Sequence, residues 1–244
     1  MRKLYSCNLG FTLVELVIVI VLAGVIATVA IRKLGSSVDT AQYEQTKKEL
    51  DQLALAIAGN PDLYDRGARS DFGYVGDVGA LPPNLDALAQ NPGFGTWDGP
   101  YMSVGTESDG YKRDAWNTLY TYTDTLIRST GSGSNIDKLI AAYSSDLLTN
   151  TVSGYVVDGD REMPGIVYRD SIMVRLVYPD GSGGLTTAVV YPDAGGNFSF
   201  AGVPVGNHVL EVIFTPETDT SSYTVCVTPR STIRLDLVFP ADLW

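Results

Sequence analysis

Apolar residues run almost unbroken from Phe11 to Ile31, interrupted by one carboxylate, Glu15. About 20 such residues span a bilayer as a helix, so segment 11–31 is predicted to be transmembrane. Polar residues then appear, but the helical period continues. Leu34, Val38, Ala41 and Gln45 follow one stripe, and Leu50, Leu53, Ala54 and Ile57 another. Gly59-Asn60-Pro61 supplies a stop, with Gly just past the end and Pro beyond it. One helix over 11–58 is therefore predicted, apolar all round at first and amphipathic later.

Residues 60–80 carry Asp62, Asp65, Asp71 and Asp77 among Gly, Tyr and Arg, and predict a solvated surface loop. Leu81-Pro82-Pro83-Asn84-Leu85 reads as a turn into a short helix. Ile136, Leu139, Ile140, Tyr143 and Leu147 fall on one helical face behind Asn135, a capping residue, and predict a second one. After Asn150 the rhythm changes. Segments 152–157, 171–177, 187–191, 197–200, 208–214, 223–227 and 232–238 read as strands separated by Gly, Pro, Asp and Asn. That spacing predicts an all-β, Ig-like sandwich over 151–244. In its last strand, Ile233, Leu235 and Leu237 share one face. The fold class is α+β.

The chain has 244 residues and a net charge of −11. Such acidity argues against a nucleic-acid partner, because phosphate contacts need Lys and Arg. It fits a well-solvated extracytoplasmic domain. The cysteines, Cys7 and Cys226, offer no disulfide framework within the body of the chain. Val225-Cys226-Val227 suggests a strand thiol packed as a small hydrophobe. The single histidine, His208, stands at a turn–strand junction, where a structural role is the simplest reading. No nucleophile elbow, His-Glu-x-x-His, Cys-x-x-Cys or phosphate-cradling glycine loop occurs, so the sequence recommends no enzyme.

Gly10-Phe11-Thr12-Leu13-Val14-Glu15, behind a start carrying Arg2 and Lys3, resembles the N-terminus of type IV prepilins and type II secretion pseudopilins. The resemblance implies a leader over 1–10, cleavage after Gly10 by prepilin peptidase, and methylation of the Phe11 amine. It implies that Glu15 pairs with the Phe11 amine of a neighbouring subunit during filament assembly. Residence in the bacterial inner membrane follows, single-pass, with the later domains extracytoplasmic. The partners implied are further copies in a helical filament, minor pseudopilins and an inner-membrane assembly platform. An ordinary secretory signal has a shorter apolar core of about 7–15 residues. Such a signal, or a plain anchor, leaves Glu15 unexplained, since a carboxylate in a membrane costs about 2.5–3.5 kcal/mol.

Two further stretches are similar to the major pseudopilin: Trp97-Asp98-Gly99-Pro100-Tyr101, and Asp114-Ala115-Trp116-Asn117-Thr118-Leu119-Tyr120-Thr121-Tyr122. The second departs from the family pattern at Ala115, Asn117, Thr118 and Leu119, where Pro, Gly, Asn and Pro are usual. This likeness implies a pilin fold, with the long helix packed on a small antiparallel sheet within 59–150. It also implies calcium in a loop near a Ser-x-Gly stretch. Here Asp124 and Asp137 flank residues 129–134 and are the candidate ligands; no other cofactor is implied. Ser153-Gly154-Tyr155-Val156, the turn before Phe198, and Gly202-Val203-Pro204-Val205-Gly206 resemble the carboxypeptidase-regulatory-like sandwich, usually an add-on or binding module. Two functions follow. One is a structural subunit of a pseudopilus or related pilus. The other is a membrane-anchored protein whose sandwich recognises a glycan or protein, favoured by an exposed patch including Tyr155, Tyr168, Tyr178 or Tyr191.

Overall fold

The computed structural model describes residues 12–103, 105, 109–240 and 242–244. The chain divides into two compact units, Met1–Gln45 and Thr46–Trp244. Helix α1 (Leu13–Ala58) is continuous over 46 residues, as its period predicts.

In the first unit the described apolar side chains of the helix are left uncovered. Leu13, Ile20, Ile26 and Val29 are all exposed, on successive sides of the cylinder. The hydroxyls turn back on the preceding turn. Thr28 Oγ1 donates to Gly24 O at 2.8 Å, and Ser37 Oγ to Lys33 O at 3.0 Å. A hydroxyl satisfied in this way presents no orphan donor to an apolar medium.

In the second unit α1 has an inner face, where Leu50, Leu53 and Ile57 are buried. It ends as the sequence indicates. Gly59 adopts φ 76°, and its N–H reaches back to Leu55 O at 2.7 Å. A side chain there would place Cβ 2.4 Å from Asp71 O. Buried Arg69 donates to Ala58 O at 2.5 Å and to Asp71 O at 2.7 Å, setting a cation on the last carbonyl of the helix.

Residues 61–67 lie exposed, as the surface-loop expectation has it, whereas most of 68–80 is built and buried or half-buried, which corrects it there. Strands β1 (Tyr64–Asp65) and β2 (Ala68–Arg69) form a hairpin, and α2 (Gly73–Val78) follows. Asp71 organises this segment by accepting from Asn60 N at 2.8 Å and Gly73 N at 2.9 Å. The expected turn into a short helix is a 3-10 turn, Leu85–Leu88, with the Asn84 side chain accepting from Ala87 N.

Strands β3 (Thr121–Thr123), β4 (Leu126–Ser129) and β5 (Ile136–Leu139) form a small antiparallel sheet in that order. Thus 136–139, expected as helix, is strand. Its apolar spacing suits either form over so short a run. The deciding contacts are non-local: Ile136 joins Ile127, Tyr120, Leu50, Leu53 and Ile57 in one core. Helix α3 (Ser145–Leu148) closes this part.

The sandwich contains all seven expected strands: β6 (Asn150–Val157), β7 (Ile172–Pro179), β8 (Leu185–Val190), β9 (Asn197–Val203), β10 (Gly206–Phe214), β11 (Asp219–Val227) and β12 (Thr232–Val238). Helix α4 (Gly165–Tyr168) lies between β6 and β7. One sheet runs β11-β10-β7-β8 and the other β12-β6-β9. The last strand pairs parallel with the first, Leu235 opposite Gly154. Phe198, Phe200, Leu176, Leu210 and Leu237 fill the space between the sheets.

The expected segments 59–150 and 151–244 belong to one compact unit. Val205, from the sandwich, is buried in the helix-and-sheet core. Its N–H donates to Leu147 O at 2.8 Å, Gly181 N donates to Val78 O at 2.9 Å, and Arg230 pairs with Asp146 at 3.0 Å.

Candidate functional site

The apolar helix begins with a reciprocal contact. Thr12 immediately precedes Leu13. Glu15 N donates to Thr12 Oγ1 at 3.3 Å, and that hydroxyl reaches Glu15 Oε2 at 3.5 Å. Leu16 N bonds to Thr12 O at 3.1 Å. Thr-x-x-Glu is a capping-box pattern, in which a side-chain oxygen satisfies an amide of the open first turn. The carboxylate also stands at the positive end of the helix dipole. A plain anchor therefore does not leave Glu15 without a role, contrary to the sequence-based argument; the signal, Thr12 three residues before Glu15, was in view. Gly10 and Phe11, the expected processing residues, lie outside the described residues.

Around this head, one helix among the described residues is long and apolar enough to cross a membrane. It is Leu13–Ala30, with mean hydropathy 2.8 and none of its residues buried.

The expected calcium ligands are not brought together. Asp124 occupies the turn before β4, at φ 37°. Asp137 faces Arg128 further along that strand and is held by its Nε and Nη2 at 2.6 and 2.7 Å. Arg128 pulls the Asp137 carboxyl below its usual range. Among the described residues, no three His, Cys, Asp or Glu side chains form a metal-binding group.

The Ser/Gly segment 129–134 is anchored by a residue that sequence reasoning placed only in a hairpin. Buried Asp114 accepts from Trp116 N at 3.0 Å, Thr118 N at 2.8 Å, Ser129 Oγ at 2.6 Å and Gly131 N at 3.1 Å. This loop is docked to the helix: Ala115 N donates to Thr46 Oγ1 at 3.2 Å, and Tyr120 OH to Glu49 Oε2 at 2.7 Å. Burial first, then the bond to Glu49, pushes the Tyr120 phenol up.

Trp97 and Tyr101 form a second anchor. Trp97 Nε1 donates to Ala87 O at 2.8 Å, and its ring meets Tyr101 edge-on at 5.5 Å. Tyr101 OH donates to Asp77 Oδ2 at 2.6 Å. Burial lifts the Asp77 carboxyl, and the Tyr101 bond partly offsets it. A groove of about 730 Å³ bounded by α1, β5 and the β11–β12 turn has paired charges on its rim, Lys138 with Asp51 at 2.5 Å and Arg230 with Asp146.

In the sandwich His208 is buried, with Nε2 2.8 Å from Pro204 O. Cys226 is half-buried in β11. Of the four tyrosines expected in an exposed patch, Tyr168 is exposed in α4, next to exposed Ile166 and Val167. Tyr155 and Tyr178 sit on strands of different sheets and are half-buried, while Tyr191 is exposed. Met163, Ile166 and Val167, around α4, are the most exposed of the sandwich's large apolar residues together with Leu185, while Val189 and Val209 on the strands are exposed to a lesser degree.

Residues 5–31 match the prokaryotic N-terminal methylation motif. The chain carries a prepilin-type N-terminus. A dioxygenase domain from the cellulolytic bacterium Streptomyces sp. SirexAA-E is similar at TM-score 0.31 and 12% identity, over 42% of this chain and 86% of that one. A streptococcal ancillary pilin is similar at TM-score 0.26 and 17% identity, over 43% of this chain. The chain spans 36% of that pilin's length. No curated protein matches the chain.

Proposed function

We propose that this chain is a structural subunit of a type IV pilin-like filament, with the pseudopilus of type II secretion as its nearest type. The observation that carries this is a carboxylate in the first turn of an apolar helix that its own chain leaves bare. Burying a Leu, Ile or Val side chain contributes about 1.5–3 kcal/mol, so such a surface must be covered by lipid or by other copies. Lipid holds the subunit before assembly, and neighbouring helices replace it in the filament. Prepilin peptidase cuts after Gly10. The Phe11 amine of one subunit then pairs with Glu15 of the next, offsetting the cost of a carboxylate in an apolar core. The subunit sits in the inner membrane with the unit Thr46–Trp244 on the extracytoplasmic side, and works with minor pseudopilins and an assembly platform. Its role is structural, not catalytic. Shearing cells that express the chain, followed by electron microscopy and mass measurement of the sheared protein, tests this. Filaments built of a chain beginning at Phe11 support it, and an unassembled, uncut chain counts against it.

A second reading is favoured by Met163, Ile166 and Val167, which are 60%, 78% and 77% exposed. A sandwich with such an apolar rim suits a membrane-anchored protein that binds a protein or glycan. Replacing all three with Ser and comparing surface binding separates this role from assembly.

A further inference from the structure

The sheet β11-β10-β7-β8 turns one side to the sandwich core, where Val174, Leu176, Leu210 and Val212 are buried, and the other side outward. On the outward side, strand pairing aligns three rows of side chains. Ile213 stands between Thr220 and Met173, Glu211 between Ser222 and Arg175, and Val209 between Thr224 and Val177. Val189 and Thr187 of β8 extend the second and third rows. Beyond the third row, Asn207 Nδ2 donates to Arg69 O at 3.0 Å, which closes that end of the face.

The composition of this face is that of a covered one. An antiparallel sheet with one solvated side commonly alternates apolar inward and polar outward. Here Met173, Val177, Val189, Val209 and Ile213 lie on the outward side, belong to neither hydrophobic core, and stand among Thr and Ser. Val189 and Val209 are 45% and 46% exposed. The charges in the three rows are Arg175 and Glu211, which satisfy each other: Arg175 Nε donates to Glu211 Oε2 at 2.7 Å. In a chain of net charge −11, rows whose charges cancel leave nothing on this face to repel a second copy.

We propose that this face docks on the same face of a second copy, about a two-fold axis that runs between β7 and β10 and parallel to them. That axis sets β7 of one copy over β10 of the other, in the aligned geometry that sheets packed face to face adopt. Each row then meets its complement: Met173 over Ile213, Arg175 over Glu211, and Val177 over Val209. With strands about 4.8 Å apart and residues about 3.4 Å along them, the face measures on the order of 300 Å² per copy. Two such faces bury about 600 Å², below the roughly 1,200–2,000 Å² of stable complexes. The contact is therefore weak between free copies and depends on their being held together. Anchoring of Leu13–Ala30 in one bilayer does this by raising the effective concentration. A two-fold contact joins copies in pairs, unlike the head-to-tail packing that propagates a filament, and does not depend on the filament reading.

The test uses the full chain in lipid vesicles, tagged at the N-terminus with a donor or an acceptor dye. Arg175→Glu combined with Glu211→Arg reverses the pair while keeping it within the sheet. Reversed copies should transfer energy to one another as parent copies do, because opposite charges still meet across the axis. A reversed copy facing a parent copy sets Arg over Arg and Glu over Glu, and transfer between them should be at least fivefold lower. Equal transfer in that mixture would overturn the proposal and leave pairing to the apolar helices. So would transfer between parent copies no greater than random mixing in the bilayer gives. Val209→Lys, at an exposed position, tests the apolar rows without touching the pair. It should lower transfer among its own copies at least fivefold, and parental transfer from it would also overturn the proposal.

Discussion

Gly131 presses its backbone onto Asp114: the N–H donates to Oδ2 at 3.1 Å, and an added Cβ would stand 2.4 Å from that oxygen. A loop that composition alone marks as flexible is fixed by one carboxylate. Asp114→Ala leaves two backbone amides, the Gly131 amide and the Ser129 hydroxyl without their acceptor. Hydrogen bonds to a charged group are each worth about 1.5–3 kcal/mol, and losses within one network are not additive. A destabilisation of about 3 kcal/mol or more is expected in denaturant unfolding of the full chain. A change under 1 kcal/mol would show that the loop holds without its anchor.

Residues 150–244 should fold alone, but less stably than within the chain. Their core between the sheets is complete without the rest. Removing 46–149 exposes Val205 and frees the Val205 and Gly181 amides. The expected result is a β-type circular dichroism spectrum and a cooperative transition at lower Tm than in the full chain. A non-cooperative melt would contradict it.

His208 should make the protein acid-sensitive. Burial lowers its pKa below the ordinary 6.5, with the Pro204 contact opposing. Above about pH 6.5 the ring is neutral folded or unfolded, so no penalty arises. As pH falls through that value the unfolded chain takes up a proton that the folded one resists. Stability then drops, by up to about 1.4 kcal/mol per pH unit. Unfolding free energies between pH 7 and 5 should fall less steeply in His208→Gln than in the parent. Equal slopes would mean that the histidine protonates in place.

Much of this architecture was legible locally. The stop at Gly59, the seven strands and the inward side of β12 follow from period and punctuation. The misses were settled by distant partners. Ile136 and Leu139 satisfy a helical stripe, but the Arg128–Asp137 pair and the ladder to β4 make them a strand. Asp71 and Asp77 read as solvated because Asn60, Gly73 and Tyr101, which engage them, were not visibly near. The parallel pairing of β12 with β6 joins residues some eighty positions apart, and no local signal encodes it. The Thr12–Glu15 box was the reverse case, a local signal overlooked beside a more specific expectation.

Processing is tested by the mass of the chain from membranes. Cleavage between Gly10 and Phe11 with methylation should give a species starting at methylated Phe11, and Gly10→Val should remain uncut. A start near Ile31, or an intact Met1, would point to an ordinary signal or an uncut anchor.

Glu15 has two roles to separate, holding the Thr12 cap hydroxyl and pairing with a neighbour's amine, and two substitutions separate them. Glu15→Gln keeps a side-chain oxygen for the Thr12 hydroxyl but removes the charge, since Gln serves at this position of a capping box as Glu does. Glu15→Leu removes both. Membrane insertion and cleavage should persist in both variants, because the apolar run over Leu13–Ala30 is intact. The decisive measurement is sheared filament yield from Glu15→Gln. A yield at least tenfold below the parent, as poor as that of Glu15→Leu, is expected if the charge pairs between subunits. Parental filaments from Glu15→Gln would contradict that pairing and leave Glu15 only as the partner of the Thr12 hydroxyl at the start of its own helix.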